Sequence, residues 1–271
     1  MTFPVYLELG GLRVHPHWLF EALAYAIAFR VYLALRRRGD VVDDSARWWV
    51  IAAAAAGAAL GSKFLYWLED PRLTLAQWNN PVYLMAGKTI VGALLGGLLA
   101  VEWTKRRIGV RTRTGDLFAV PLCVGIAIGR VGCFLTGLED HTSGTPTSLP
   151  WGVNFGDGIA RHPTQIYEIV FAALLGTLLW RAAKQPHENG DLFKMFMVAY
   201  LGFRLLVDFV KPGVALAGLT AIQWACVAAL IFYARDVRRW IAYVAPGFSP
   251  ANPTEHSATL KGTATGGAND K

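Results

Sequence analysis

Arg130 and Arg204 sit inside long apolar stretches of this chain, away from the ends where a charge could reach water. A guanidinium stays charged at any physiological pH, and its planar fork of donors matches phosphate oxygens. A charge at membrane depth is costly unless a partner or water meets it inside the protein. The two arginines therefore point to a bound anion, and the phosphate of a lipid head group fits that depth. Glu21, Tyr25, Lys63, Lys88, His162, Glu168 and Asp208 are polar groups in similar apolar surroundings. Lys63, Lys88 and Asp208 fit a structural ion pair as well as a ligand contact, and Glu21 fits a solvated helix start.

The elements that must position these groups are membrane helices. Of 271 residues, 54% are hydrophobic and 17% charged, more apolar surface than a soluble core requires. Runs of roughly 20 apolar residues can cross the hydrocarbon. They are predicted near 17–35, 48–68, 82–103, 116–138, 163–181, 192–210 and 216–234. The net charge of +7 falls mostly in short clusters between these runs, which argues against a nucleic-acid partner. Arg36, Arg37, Arg38 and Arg47, then Lys105 to Arg113, Arg181 with Lys184, and Arg235 to Arg239 occupy alternate connections. The other connections carry only Arg13, Arg72, Arg161 and Lys211, so the N-terminus is expected outside and the C-terminus inside.

With those directions, Tyr25, Lys63, Lys88, Arg130, Glu168, Arg204 and Asp208 all fall toward the outer side, in one layer. Residues 1–16 are expected to form an outside N-terminal segment, 17–245 the seven-span domain with an outside loop near 139–162, and 246–271 a disordered cytoplasmic tail. No cleavable signal peptide is visible at the start. The stretches AAAAAGAALG at 52–61 and GALLGG at 92–97 are small enough for close helix packing. Cys123, Cys133 and Cys226 give no disulfide framework.

Ordered motifs then resemble those of the bacterial prolipoprotein diacylglyceryl transferases over roughly residues 20–235. Tyr25 opens the first span as the family's Tyr-Gly does, and Gly61-Ser62-Lys63-Phe64-Leu65-Tyr66 resembles Gly-Ala-Arg-Leu-Phe-Tyr. Gly129-Arg130-Val131-Gly132 opens the signature Gly-Arg-x-Gly-Asn-Phe, and His162-Pro163-Thr164-Gln165-Ile166-Tyr167-Glu168 is close to His-Pro-Ser-Gln-Leu-Tyr-Glu. Arg204 to Phe209 resembles Arg-Phe-x-x-Glu-Phe, and Gln223 matches a polar position of the last helix.

The resemblance implies transfer of a diacylglyceryl group from phosphatidylglycerol, or another anionic phospholipid, to the cysteine thiol of a lipoprotein precursor signal sequence. It implies a multi-pass protein of the bacterial inner membrane, with no metal and no organic cofactor. Arg130, Arg204, Tyr25, Glu139 and His162 become the catalytic candidates. Lys63, Lys88, Arg161, Glu168, Asp208 and Gln223 become the substrate-binding candidates.

Departures fall on polar positions. Val91 stands where the family has a catalytic His, and valine exchanges no proton. Cys133 and Thr136 replace two signature Asn residues. Leu138 stands where an acid is expected, with Glu139 next, and His141 replaces a glycine. Lys88, Glu139, His141 and His162 are the available replacement proton carriers, and Lys88 fits a second phosphate ligand equally. A related transferase with another acceptor and a non-catalytic binder of anionic lipid are the alternative readings.

Overall fold

The computed structural model describes residues 3–37, 39 and 44–244. The expected tail at 246–271 and Arg38 lie outside them. The chain divides into two units, Met1–Tyr233 and Ala234–Lys271.

The fold is helical, with two short hairpins. The first pairs β1 (Leu7–Leu9) with β2 (Leu12–Val14) across Gly10 and Gly11, both in the positive-φ conformation that a tight two-residue hairpin requires. Helices α1 (Pro16–Arg36) and α2 (Asp44–Glu69) follow, then the short α3 (Pro71–Ala76) and α4 (Pro81–Met85). Next come α5 (Ile90–Arg107) and α6 (Asp116–Thr136), which runs into a 3-10 turn at Gly137–Asp140. The second hairpin pairs β3 (Val153–Asn154) with β4 (Ala160–Arg161). The chain continues through α7 (Thr164–Ala182), α8 (Asp191–Val207) with a 3-10 turn at Asp208–Val210, and α9 (Ala221–Val244).

Each expected apolar run thus contains a helix, although those at 82–103 and 216–234 also take in non-helical residues. Four helices are long and apolar enough to cross a membrane: Pro16–Arg36, Ser45–Glu69, Asp116–Asp140 and Thr164–Ala182. Only 11% of the apolar window in α1 is buried within the protein, and large side chains such as Leu60, Leu99, Ile231 and Phe232 are exposed. Apolar surface on that scale needs lipid against it. The chain is an all-α membrane protein in this sense. In contrast, α5 ends in Glu102, Lys105, Arg106 and Arg107, and α8 has 17 residues.

Two basic residues expected in loops are buried. Arg47 lies within α2, is fully buried and donates to the Thr114 carbonyl at 3.3 Å. Lys105 is buried and pairs with Glu102 at 2.7 Å.

The seam between α2 and α5 is made of glycine. A Cβ on Gly61 would collide with the Gly92 carbonyl, and one on Gly92 with the Gly61 carbonyl. Gly57 and Gly96 repeat the arrangement one turn away, so the two backbones touch as small-residue membrane seams do. Helix α6 packs against α1, α7 and α8, which puts it at the centre of the polar site. The N-terminal segment closes over its end. Val5 donates to the Leu135 carbonyl at 2.8 Å, and the Phe3 ring stands edge-on to Phe134 and Phe155.

Candidate functional site

Helix α8 carries Tyr200, Arg204 and Asp208 at successive four-residue steps, so the three share one face. Glu168, one turn into α7, meets that face. Its Oε1 accepts from the Tyr200 hydroxyl at 2.5 Å, and its Oε2 lies 3.2 Å from Arg204 Nη1. From α6, Arg130 Nε reaches the same Oε2 at 2.9 Å. Arg204 Nη2 pairs with Asp208 Oδ1 at 2.7 Å, and Asp208 Oδ2 accepts from Thr220 at 3.3 Å. Arg130, Glu168, Tyr200, Arg204 and Asp208 are all buried.

Two guanidiniums face two carboxylates here, yet the donors are not exhausted. Arg204 Nε has no hydrogen-bond partner among the described residues, and Arg130 Nε meets Glu168 by charge without an aligned hydrogen bond. Buried donors are normally satisfied. A cluster of ten guanidinium N–H groups, of which these few are used, is disposed to take oxygens from an added anion. Lys211 stands within electrostatic reach of Glu168, Asp208, Arg204 and Arg130. Burial, followed by the two arginines, pulls its ammonium down to about 7.

A second cluster surrounds the start of α1. The Tyr25 hydroxyl donates to Glu21 at 3.2 Å, and the same carboxylate oxygen takes Lys88 Nζ at 2.6 Å. His17 Nε2 is 3.6 Å from the other Glu21 oxygen, while its Nδ1 is 2.7 Å from Asp140. Tyr25 is largely exposed.

The remaining candidates make their own contacts around these two clusters. Lys63 donates to the carbonyls of Met85, Ala86 and Gly87, ending α4 with all three of its protons, so it closes a loop where an anion ligand was expected. Arg161 pairs with Asp157 at 2.7 Å across the tip of the second hairpin, a solvated pair that raises the guanidinium and lowers the carboxylate. Glu139 is mostly exposed, 3.9 Å from His15. His162 Nδ1 shares the Tyr167 hydroxyl at 3.1 Å, which in turn accepts from Trp151 at 2.8 Å. Gln223 and Thr220 exchange hydrogen bonds as a capping box that starts α9, and the Gln223 amide nitrogen donates to the Leu205 carbonyl of α8 at 3.2 Å. Val91 is 1% exposed in the apolar core.

Tyr200, Lys211, His17 and Asp140 were not among the expected site residues. Tyr200 was legible from its spacing, one turn before Arg204 on the face that ends at Asp208.

A sequence model of the prolipoprotein diacylglyceryl transferases matches residues 4–235. This chain belongs to that family. A phosphatidylglycerol–prolipoprotein diacylglyceryl transferase of Bordetella parapertussis is 31% identical over 244 residues, covering 82% of this chain and 88% of that protein. The correspondingly named protein of Geobacter sulfurreducens is 32% identical over 232 residues, covering 80% and 85%. That of Polynucleobacter asymbioticus is 33% identical over 183 residues, covering 64% and 67%. The matched region takes in α1 to α8 and the clusters around Arg130 and His17.

Proposed function

We propose that this chain transfers the diacylglyceryl group of phosphatidylglycerol to the cysteine thiol of a prolipoprotein signal sequence. The convergence of Arg130 and Arg204 on Glu168 carries this reading, because the relatives are named for an anionic lipid donor. The lipid phosphate takes the guanidinium donors that Glu168 and Asp208 leave open. As the thiolate attacks the glycerol carbon, the carbon–oxygen bond to phosphate breaks and its electron pair stays on the leaving oxygen. The two arginines stabilise that charge. Lys211 adds to the positive field around it. Tyr25, Glu21 and Lys88 stand at the mouth, where the acceptor enters.

All seven long helices cross the bacterial inner membrane in this reading, with residues 1–16 outside, a C-terminal tail inside, and the segment 139–162 roofing the outer end. Lipids and the precursor are its partners.

The test is complementation of a strain depleted of its own transferase, followed by mass spectrometry of a lipoprotein. A diacylglyceryl mass on the cysteine supports the reading. Its absence, with the protein expressed and inserted, overturns it. Val91 at the family His position favours one second reading, a transferase of the same lipid group to another acceptor, which lipid analysis of those membranes distinguishes.

A further inference from the structure

The proposed reaction needs a thiolate, and a free thiol is mostly protonated at neutral pH. Val91 cannot take that proton. Cys133 cannot serve as a covalent carrier either, because its attack on the glycerol carbon would leave a thioether, whose sulfur is too poor a leaving group for a second transfer.

Close to Arg130 is a different constellation. One ring nitrogen of His17, the Cys133 sulfur and one Asp140 oxygen all lie within 4.8 Å of one another. They come from three elements: the first turn of α1, the last turn of α6 and the 3-10 turn after it. Cys133 and the Asp140 carboxylate are buried, while a third of the His17 side chain is exposed. Asp140 Oδ2 accepts from Thr142 at 2.5 Å, and Thr142 accepts from Gln165 at 3.1 Å. Outer-shell bonds of this kind orient metal ligands. Their scattered positions, 17, 133 and 140, explain why no ligand spacing was visible in the sequence.

We infer that His17, Cys133 and Asp140 bind a divalent cation, zinc by their donor set, which takes the acceptor cysteine as its fourth ligand. Three ligands of nitrogen, sulfur and oxygen with one open position are the pattern of a catalytic zinc site. The 2.7 Å contact between His17 Nδ1 and Asp140 opens slightly as a cation seats at about 2.0–2.3 Å from each donor. A thiol bound to zinc is deprotonated outright. Its proton goes to solvent, a sulfur lone pair forms the bond to the glycerol carbon, and glycerol phosphate departs with the electrons of the broken carbon–oxygen bond. The product thioether is a weaker ligand and leaves the cation. Arg130 Nη1, 3.6 Å from Cys133 Sγ, sets the phosphate site beside the cation. The catalytic part of this inference rests on the proposed reaction; the binding part rests on side-chain geometry alone.

The full chain in detergent, stripped with a chelator, is titrated with Co²⁺ as a spectroscopic stand-in. The expected result is one equivalent bound with a sulfur-to-cobalt charge-transfer band. Cys133→Ser removes the band, and Thr142→Val, which leaves all three donors, weakens binding by about 10- to 100-fold. A cysteine-containing signal peptide intensifies the band, whereas its serine version does not. Absence of stoichiometric cobalt, or an unchanged spectrum in His17→Ala with Asp140→Asn, overturns the inference. So does full transfer activity in chelated, metal-free protein, which would leave the reaction standing and make His17 and Asp140 a plain proton-accepting pair. Cobalt binding in a chain that transfers no lipid would sink the reaction and keep the cation site.

Discussion

Arg130 Nε and Arg204 Nη1 come from two different helices and end on one oxygen of Glu168, 2.9 and 3.2 Å away. A single carboxylate oxygen thus bridges two guanidiniums. Under the proposed function it keeps the two cations together at the phosphate site.

Arg130→Ala and Arg204→Ala should each slow transfer by about 100- to 1000-fold, the effect of losing one donor to a developing oxyanion. Arg111→Ala, between α5 and α6, should leave stability within about 0.5 kcal/mol and activity near that of the parent. Rate measurements on vesicles containing phosphatidylglycerol check this. Equal losses in all three variants would remove the phosphate role from the pair.

Glu168→Gln leaves two buried guanidiniums with one fewer counter-charge. Breaking a buried pair in this way costs about 3–5 kcal/mol, so the melting temperature should fall. Anionic lipid supplies the missing charge, and phosphatidylglycerol should therefore raise the melting temperature of the variant more than that of the parent. A variant indifferent to lipid charge would count against an anion site there.

Lys211, outside the spanning helices, has its ammonium pulled down to about 7 from the ordinary 10.5. The folded chain then binds fewer protons than the unfolded one between those values, so stability should rise with pH across that window. Affinity for the anionic head group moves the opposite way, falling as pH rises through about 7 and the ammonium discharges. Lys211→Arg should flatten this affinity profile, and Lys211→Met should hold it at the alkaline level throughout. Lipid-binding titrations on both sides of neutrality decide the matter.

Glycines at the α2–α5 seam and on α8 should respond in opposite senses. Gly61→Val or Gly92→Val drives a side chain into the partner backbone, and neither helix can yield without parting from the other. Little folded protein should be recovered. Gly202 on α8 has nothing near the position of a Cβ, and Gly202→Ala should stabilise by about 0.5–1 kcal/mol through helix propensity. Thermal unfolding of the purified variants measures both.

The helices were legible because long apolar runs leave little alternative, but two boundaries were not. The run at 82–103 begins inside the separate short helix α4, which Pro81 starts, and contains Gly87 at φ 58°, where a Cβ would enter the Tyr66 ring. Helix α5 therefore begins only at Ile90. The run at 216–234 starts late, at Ala221, because Thr220 and Gln223 cap it, and it continues through charged residues to Val244. Depth along each span put the arginines and Glu168 in one layer. It could not tell which neighbours claim a donor first, and so Lys63 was expected near the anion when three carbonyls already hold it. Attention to charge alone also passed over Tyr200, whose hydroxyl is bonded to Glu168.

The contact of Gly57 and Gly61 with Gly96 and Gly92 bears on traffic as well as on folding. Helices pressed together main chain to main chain leave no slit through which a fatty tail can slide. That flank is shut to hydrocarbon, and a two-tailed donor has to come and go by a different gap in the wall.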